Sequence, residues 1–386
     1  MAKQTWIKWY FVAFILEGVG GGIYYAYSRP YLVDALGQEY GLLFSLLAAE
    51  FIPSITLVIL GLLGDLLGRR ALIIFGIPRL ISYSLIPSVP IAFMPILVGV
   101  SVFLSSIAGV GSMGVVLEAG RGRGSFYANI TTSYGIGWSI GGLIPGLASK
   151  LARSETSFLI AGLLCSMSST ILYLSSPPTV LRRLNAREFK TALIRTSRFL
   201  ASITLTTASL SMFYSAISLV IYAEIRDLLI YGVFIASLSV IIGTATRPLA
   251  GLLVDKFNCI YIYSITLGLY GVLSYAILHS PCFVKLILWQ IPLYPFRDVA
   301  QTMAISRGFP MELQSTAYGL TLTANALAGM VMLAIKEYVA KLPLSDIFLV
   351  HITLLCLGIF IVVPYKESVK QIKAFVHLLS KSYRAE

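Results

Sequence analysis

The chain has 386 residues, of which 57% are hydrophobic and only 12% are charged, whereas soluble domains carry roughly a quarter charged residues. This composition excludes an ordinary soluble protein and predicts one that crosses a lipid bilayer many times. The net charge of +12 does not indicate a nucleic-acid partner, because the basic side chains concentrate in loops on one side of the predicted spans.

Apolar segments long enough to span a bilayer, at roughly 17–25 residues each, follow one another along the chain. There are twelve, at residues 7–33, 40–63, 71–88, 90–117, 125–149, 156–174, 199–223, 228–253, 259–279, 282–306, 315–340 and 345–365. This pattern predicts an all-α membrane protein with twelve transmembrane helices.

Proline and basic residues divide these segments into two groups of six. Residues 175–198 contain Pro177-Pro178 followed by a run of basic side chains, which predicts a cytoplasmic linker. The linker separates an N-terminal six-helix bundle (1–174) from a C-terminal six-helix bundle (199–365), and residues 366–386 form a cytoplasmic tail. Lysine and arginine dominate the loops on the linker's side, so we expect both termini in the cytoplasm of a multi-pass cell-membrane protein.

A charged turn interrupts the apolar sequence between the second and third segments. It reads Gly61-x-Leu63-x-Asp65-x-x-Gly68-Arg69-Arg70. Aspartate and arginine are costly in hydrocarbon, so the turn must lie at a membrane face, and its glycines allow two helix ends to approach closely. A related fragment, Gly251-x-Leu253-x-Asp255-Lys256, ends the eighth segment.

The turn resembles the loop 2–3 signature of the major facilitator superfamily, G-x-L-x-D-x-x-G-R-[KR], and departs from it only at Leu66, where a basic residue is usual. The resemblance implies two pseudo-symmetric six-helix bundles that expose a central cavity alternately to the two sides of the membrane. It also implies a conformational gate that holds cytoplasmic helix ends together when the cavity faces outward. The gate residues would be Gly61, Asp65, Gly68, Arg69 and Arg70, with Glu118 as counter-charge and Asp255 in the repeat.

Charged residues also lie inside the predicted spans, roughly 12–15 Å from the nearest turn at ~1.5 Å of helical rise per residue. They are Glu17, Arg79, Arg247, Arg297 and Asp298. A charge at this depth costs at least ~2.5–3.5 kcal/mol on insertion scales, so each residue either serves function or forms a buried ion pair. Glu17 and Asp298 are the candidates for proton coupling, and Arg79 is the expected ion-pair partner if Glu17 is structural.

The stretch from Arg247-Pro248 to Asp255 resembles span eight of superfamily members that carry organic anions, including monocarboxylate carriers. The resemblance implies that Arg247 meets a substrate carboxylate, which a planar guanidinium can bind through two parallel hydrogen bonds. Asp298 could instead neutralise Arg247 from a facing helix, with Arg297 facing the cavity. Ser105 stands where proton-driven exporters of the superfamily often carry arginine, which leaves uniport and substrate exchange open.

Aromatic residues in several spans could line the same cavity, because tyrosine and tryptophan offer apolar area with a hydrogen-bonding tip. The candidates are Tyr24, Tyr27, Tyr134, Trp138, Tyr214 and Tyr294. For each of them, packing or anchoring at the membrane interface is the alternative.

The leading hypothesis is a secondary active transporter of a small organic solute. An anion is favoured because the arginines at midplane depth outnumber the carboxylates. One alternative is a proton-coupled exporter of amphipathic or cationic drug-like compounds, with Glu17 and Asp298 as the substrate contacts. A second alternative is a lipid-handling protein or a non-transporting sensor on the same scaffold.

We do not expect an enzyme, because the sequence shows no metal-ligand cluster, no nucleophile–base motif and no phosphate loop. No cofactor or metal is expected for the same reason. The expected partners are a small-molecule substrate, the lipid bilayer and protons as a coupling ion. The superfamily resemblance further implies a monomer.

Overall fold

A computed structural model of the chain describes residues 5–36, 40–148, 154–178, 186–339 and 341–363, and this part is built from helices. The α-helices are α1 (Thr5–Leu36), α2 (Tyr40–Phe51), α3 (Leu57–Leu67), α4 (Arg69–Ile73), α5 (Arg79–Leu85), α6 (Met94–Gly120), α7 (Gly124–Ala148), α8 (Ser154–Ser175), α9 (Ala186–Ile225), α10 (Leu228–Tyr231), α11 (Ser239–Lys256), α12 (Cys259–Leu278), α13 (Cys282–Leu288), α14 (Tyr294–Gly308), α15 (Gln314–Val339) and α16 (Leu344–Val362). Short 3₁₀ segments adjoin several of them, and a π-helical segment (Gly232–Leu238) joins α10 to α11.

Within the described ranges, nine helical stretches are long and apolar enough to cross a membrane. They are Ala48–Leu67, Arg69–Ser88, Ile91–Gly120, Thr156–Ser175, Arg187–Ile225, Leu229–Lys256, Cys259–Leu278, Met311–Ile335 and Leu344–Val362. The protein is therefore an all-helical, multi-pass membrane protein. The predicted spans 7–33, 125–149 and 282–306 fall on α1, on α7 and on α13 with α14, so the total of twelve stays a prediction.

Helix α9 begins at Ala186, well before the predicted start of its span at residue 199. Alanine, arginine, lysine and leucine dominate this extension and are good helix formers, so the helix continues beyond the apolar segment. Much of the predicted linker is therefore helical. Residues 179–185 of that linker and the predicted tail 366–386 lie outside the described residues.

The predicted span 282–306 is not continuous, because α13 ends at Leu288 and α14 starts only at Tyr294. Two prolines explain the break: Pro295 has no N–H to donate backwards, and the ring of Pro292 clashes with helical backbone preceding it. Within the break, the side-chain amide of Gln290 donates to the carbonyl oxygens of Leu286 at 2.8 Å and Phe234 at 2.9 Å, which joins the end of α13 to the π-helical segment. The amino end of α14 therefore lies within the predicted span 282–306.

Glycines bring α1 and α7 into backbone contact. A Cβ atom on Gly137 would lie 2.0 Å from the carbonyl oxygen of Ile15, and one on Gly141 would lie 2.1 Å from that of Val19. The approach is mutual, since a Cβ on Gly18 would lie 2.1 Å from a carbonyl oxygen of α7. Small residues spaced by four are typical of such close helix contacts in membranes.

We predict that Gly137→Ala lowers the free energy of unfolding by ~1–3 kcal/mol, because the added methyl group meets backbone that cannot move aside alone. Thermal unfolding of the detergent-purified protein measures this change. Gly268→Ala is the matched control, since a Cβ there would have nothing within 4 Å and alanine favours the helix. Equal melting temperatures for the two variants would contradict the prediction.

Candidate functional site

A cavity of about 490 Å³, here called the central cavity, lies between helices from both halves of the chain. Polar and charged side chains contribute to its wall from either half. They include Glu17, Arg79, Ser105, Tyr127, Thr131, Tyr134 and Ser169 from α1–α8, and Arg247, Tyr294, Arg297, Asp298 and Tyr318 from α9–α16. All five charged residues that the sequence places at midplane depth therefore line one cavity.

Arg79 and Glu17 form an ion pair on the first-half wall. The guanidinium is 2% exposed and contacts both carboxylate oxygens of Glu17, one of them at 2.6 Å. It also donates to Ser105 Oγ at 2.9 Å, to Ser169 Oγ at 2.9 Å and to the Cys165 carbonyl at 2.7 Å. Its Nε donates to the Gly76 carbonyl at 3.0 Å, so each guanidinium nitrogen is bonded to protein.

Arg247 and Asp298 form a second ion pair across α11 and α14. Arg247 also donates from Nε to Thr131 Oγ1 of α7 at 2.7 Å, and its guanidinium lies 6.0 Å from the ring centre of Tyr127. Asp298 keeps 40% of its side chain exposed, whereas the Arg247 side chain is only 10% exposed. The carboxylate is therefore the accessible member of the pair.

Arg297, one residue before Asp298, points away from both ion pairs because successive helical side chains diverge by about 100°. Its hydrogen bond is to Thr207 Oγ1 at 3.4 Å, and in the part of the chain that the structure describes no carboxylate pairs with it. Arg297 therefore carries a positive charge on the cavity wall that no acidic side chain there offsets.

A second cavity, here called the distal cavity, has a volume of about 370 Å³ and shares Tyr294 and Arg297 with the central one. Six aromatic side chains line it: Tyr25, Phe51, Tyr214, Tyr270, Trp289 and Tyr294. It also contains Glu50, whose carboxylate accepts a hydrogen bond from the Tyr24 hydroxyl at 3.0 Å.

The charged turn binds the start of α15. Asp65 accepts hydrogen bonds from the backbone N–H of Ser315 at 3.2 Å and of Thr316 at 2.8 Å, and from the Thr316 hydroxyl at 2.8 Å. Arg69 donates to Asp65 at 2.9 Å and pairs with Glu118. We call these five residues the Asp65 cluster. The acidic group satisfies the amides of a helix start, where negative charge is favoured.

The glycines of the turn serve this contact. A Cβ atom on Gly61 would lie 2.5 Å from the Ser315 carbonyl oxygen, so only glycine permits this approach of α3 to α15. Gly68 has φ +118°, a conformation that other residues rarely adopt.

Arg70, which we expected in the same cluster, instead donates to the Tyr173 carbonyl at 2.7 Å and lies 4.5 Å from the centre of the Tyr173 ring.

The repeated fragment makes an equivalent contact at the start of α7. Asp255 accepts from the backbone N–H of Gly124 at 2.7 Å and of Ser125 at 3.0 Å, and pairs with Arg307 at 2.8 Å. We call these four residues the Asp255 cluster. The two clusters join α3 to α15 and α11 to α7, so both tie one half of the chain to the other.

The model of the Major Facilitator Superfamily matches residues 9–333 of this sequence. The chain belongs to the Major Facilitator Superfamily. Two solved structures of similar fold are the human organic anion transporter MFSD10 (TETRAN), at 14% identity, and the nucleoside transporter NupG, at 13% identity. Each superposes with a TM-score of 0.65; the matches cover 92% and 93% of this chain and 98% of either structure. No curated protein matches the sequence.

Membership of this superfamily identifies a membrane transporter and not an enzyme. Within the described residues, no group of three or more histidine, cysteine or acidic side chains is placed to hold a metal ion.

The aromatic residues singled out from the sequence separate into two groups in this major facilitator fold. Tyr134 lines the central cavity, Tyr214 the distal cavity and Tyr294 both. By contrast, the other three line neither cavity, because their rings pack among other aromatic rings. Tyr24 lies against Tyr83 and Phe158, Tyr27 against Phe158, and Trp138 against Tyr25 and Tyr134.

Seven aromatic lining residues were missed by sequence reasoning: Phe14, Tyr127 and Tyr318 in the central cavity, and Tyr25, Phe51, Tyr270 and Trp289 in the distal one. Tyr127 lies seven positions before Tyr134 and hence on the same face of α7, a spacing that could have revealed it. Trp289 lies in the break between α13 and α14, where helical spacing no longer applies.

Proposed function

We propose that this protein is a secondary active transporter that moves a small organic anion across the membrane by alternating access. In this proposal the chain forms two bundles, residues 1–174 and 199–365, which rock about the central cavity. The observation that carries the choice of an anion is the charge balance of that cavity.

The balance follows from the pairing of the charged side chains. Glu17 is bonded to Arg79 and Asp298 to Arg247, so each carboxylate is matched by one arginine. Arg297 is the remaining cation on the wall. An arginine in a site with little water favours a carboxylate or another oxyanion, which it can bind through parallel hydrogen bonds. Arg297 is therefore our first candidate for the anion contact, ahead of Arg247.

The break between α13 and α14 supports the same sign of substrate charge. Arg297 lies in the first turn of α14, whose amino end carries the partial positive charge of a helix start. Transporters commonly use the amino ends of discontinuous helices to hold anionic substrate groups at midplane depth. The Arg297 guanidinium and the amino end of α14 both contribute positive potential to the same part of the cavity wall.

Asp298 fits the role of proton carrier better than Glu17 does. Asp298 is 40% exposed to the cavity and has Arg247 as its ion-pair partner, so its protonation would release a cation for the substrate. Glu17 is bonded to the Arg79 guanidinium, which further hydrogen bonds hold in place.

The structural neighbour that transports organic anions agrees with the proposed substrate class, although at 14% identity the likeness concerns the fold alone.

A thermal-shift screen of the detergent-purified protein against organic anions, cations, sugars and drug-like compounds tests the proposed substrate class. A ligand that binds the folded state raises the melting temperature by mass action. We expect stabilisation by organic anions. Stabilisation by lipophilic cations alone, lost in Glu17→Gln, would support the exporter alternative, and stabilisation by lipids alone would support the lipid-handling one.

We predict that Arg297→Gln weakens the apparent affinity for the stabilising anion about 10- to 100-fold, the loss expected for one charged hydrogen-bonding group. Uptake into proteoliposomes measures it, and Arg297→Lys should recover part of the affinity because it keeps the charge. The matched control is Arg195→Gln, an exposed arginine on the cytoplasmic extension of α9. Unchanged uptake in Arg297→Gln would overturn the assignment.

A further inference from the structure

The distal cavity has the dimensions and the chemistry of a binding site in its own right. Its volume of about 370 Å³ falls in the range of small-molecule sites, roughly 300–1,000 Å³. Six aromatic side chains contribute to its wall, and the guanidinium of Arg297 is its cation. The central cavity differs in containing the two ion pairs, Arg79 with Glu17 and Arg247 with Asp298.

The aromatic wall is held in a defined arrangement. The ring of Tyr214 meets Tyr270 at 5.7 Å and Trp289 at 5.4 Å between ring centres, both edge to face. Such contacts contribute ~0.5–1.5 kcal/mol each beyond the burial of area. The three rings therefore form one surface, although they come from α9, α12 and the break after α13.

A buried hydrogen-bond chain behind the wall fixes Tyr214. Its hydroxyl accepts from Ser274 Oγ at 3.3 Å, and Ser274 Oγ lies 3.0 Å from Nε2 of His351. On the other side, Nδ1 of His351 lies 2.7 Å from Ser209 Oγ. His351 is 0% exposed and plays no part in the central cavity. The bond from Ser274 ties the Tyr214 hydroxyl to this buried chain, so the chain helps to hold the aromatic ring in place.

The distal cavity contains one cation, Arg297, and one acidic side chain, Glu50. Glu50 accepts a hydrogen bond from the Tyr24 hydroxyl, whereas Arg297 has no carboxylate partner among the described residues, so its guanidinium can receive a carboxylate of a ligand. A ligand with an aromatic ring and one carboxylate would place the ring against Tyr214, Tyr270 and Trp289 and the carboxylate on Arg297.

We propose that the distal cavity is a second binding site, specific for aryl carboxylates, on the route to the central cavity. The proposal rests on the proposed function only for the negative charge of the ligand. Tyr294 and Arg297 border both cavities, so the carboxylate can stay on one guanidinium while the ring moves from the aromatic wall to the central cavity. The transfer thus needs no step in which the carboxylate is without a cation.

Trp289 provides a reporter for this site, because the described wall of the central cavity contains no tryptophan. The chain has four tryptophans, so Trp6→Phe, Trp9→Phe and Trp138→Phe together leave Trp289 as the only one. Titration of this variant with 4-nitrobenzoate, which quenches tryptophan fluorescence, should give saturable quenching. If the triple variant does not fold, the difference between wild-type protein and Trp289→Phe reports the same quenching.

Two further probes separate the ring from the charge. Cyclohexanecarboxylate keeps the carboxylate without an aromatic ring, and 4-nitrobenzyl alcohol keeps the quenching ring without the charge. We expect the first to compete at least 10-fold more weakly than 4-nitrobenzoate, and the second to quench at least 10-fold more weakly. Equal quenching by the alcohol would overturn the assignment of an anion site.

Two matched deletions of a tyrosine ring locate the ligand. Tyr270→Leu, in the distal wall, should weaken quenching at least 10-fold, and Tyr318→Leu, in the central wall, should change it less than threefold. The reverse order would overturn the proposal. Uptake in proteoliposomes separates it from the proposed function: quenching without uptake leaves the distal site standing, and uptake of anions without quenching of Trp289 removes the distal site alone.

Discussion

Replacing Arg79 with methionine is expected to lower the free energy of unfolding by ~3–5 kcal/mol, the largest effect of any single substitution proposed for this protein. The substitution leaves the Glu17 carboxylate at midplane depth without its cation. It also removes the donors that satisfy Ser169 Oγ and the Cys165 carbonyl oxygen. Thermal or denaturant-induced unfolding in detergent measures the loss.

The double variant Glu17→Gln with Arg79→Met distinguishes a lost ion pair from a packing defect. Removal of both charges should restore more than half of the stability lost in Arg79→Met, because the unpaired carboxylate is then gone. Arg195→Met, an exposed arginine, is the matched control and should stay within ~0.5 kcal/mol of the wild type. A double variant no more stable than Arg79→Met would show that the ion pair is not what stabilises this wall.

Asp65→Asn is expected to open the membrane face at which the Asp65 cluster lies and to shift the conformational equilibrium by roughly 10- to 100-fold. Asparagine keeps the shape, but it loses the charge that holds Arg69 and cannot accept every hydrogen bond that Asp65 accepts from Ser315 and Thr316. A charged hydrogen bond contributes ~1.5–3 kcal/mol, and 1.4 kcal/mol is a factor of ten. The substitution therefore destabilises the state in which this face is closed more than the state in which it is open.

The measurement is the labelling rate of a cysteine in the central cavity, Ser112→Cys, by a membrane-impermeant thiol reagent from the side of the charged turn. The rate should rise about tenfold or more in Asp65→Asn. Asp255→Asn is the matched comparison and should have a smaller effect, because its pair with Arg307 is 26–35% exposed while Asp65 and Arg69 are nearly buried. An unchanged labelling rate in Asp65→Asn would contradict the gate.

Sequence reasoning succeeded where physical cost forces a single solution. The turn from Gly61 to Arg70 has to lie outside hydrocarbon, and its family resemblance agrees with the superfamily match over residues 9–333. The cost of a charge in hydrocarbon led us to expect either a functional role or a buried ion pair for each charged residue within the spans. Four of these five residues form two ion pairs, Arg297 has no carboxylate partner among the described residues, and all five line the central cavity.

Sequence reasoning failed where neighbours in space decide the outcome. The break between α13 and α14 contains two prolines, but prolines inside membrane helices often only bend them, so the apolar pattern gave a continuous span. Arg70 turned to Tyr173 of α8 because side chains next to each other on a helix diverge, and nothing local marks Tyr173 as its partner. Tyr318 joins the central cavity only through the packing of α15.

The two clusters that join the halves of the chain recognise mainly backbone. Asp65 and Asp255 accept hydrogen bonds from main-chain N–H groups at the starts of α15 and α7, and those groups are present whichever side chain stands there. Most substitutions at Ser125, which is partly exposed, should therefore be tolerated, and proline, which lacks the N–H, is the exception. Ser315 is fully buried against Gly114, so only small residues fit there, although the contact with Asp65 itself asks only for an N–H group. The acidic residue of each contact thus recognises a helix start, and the space around that start decides which side chains it can carry.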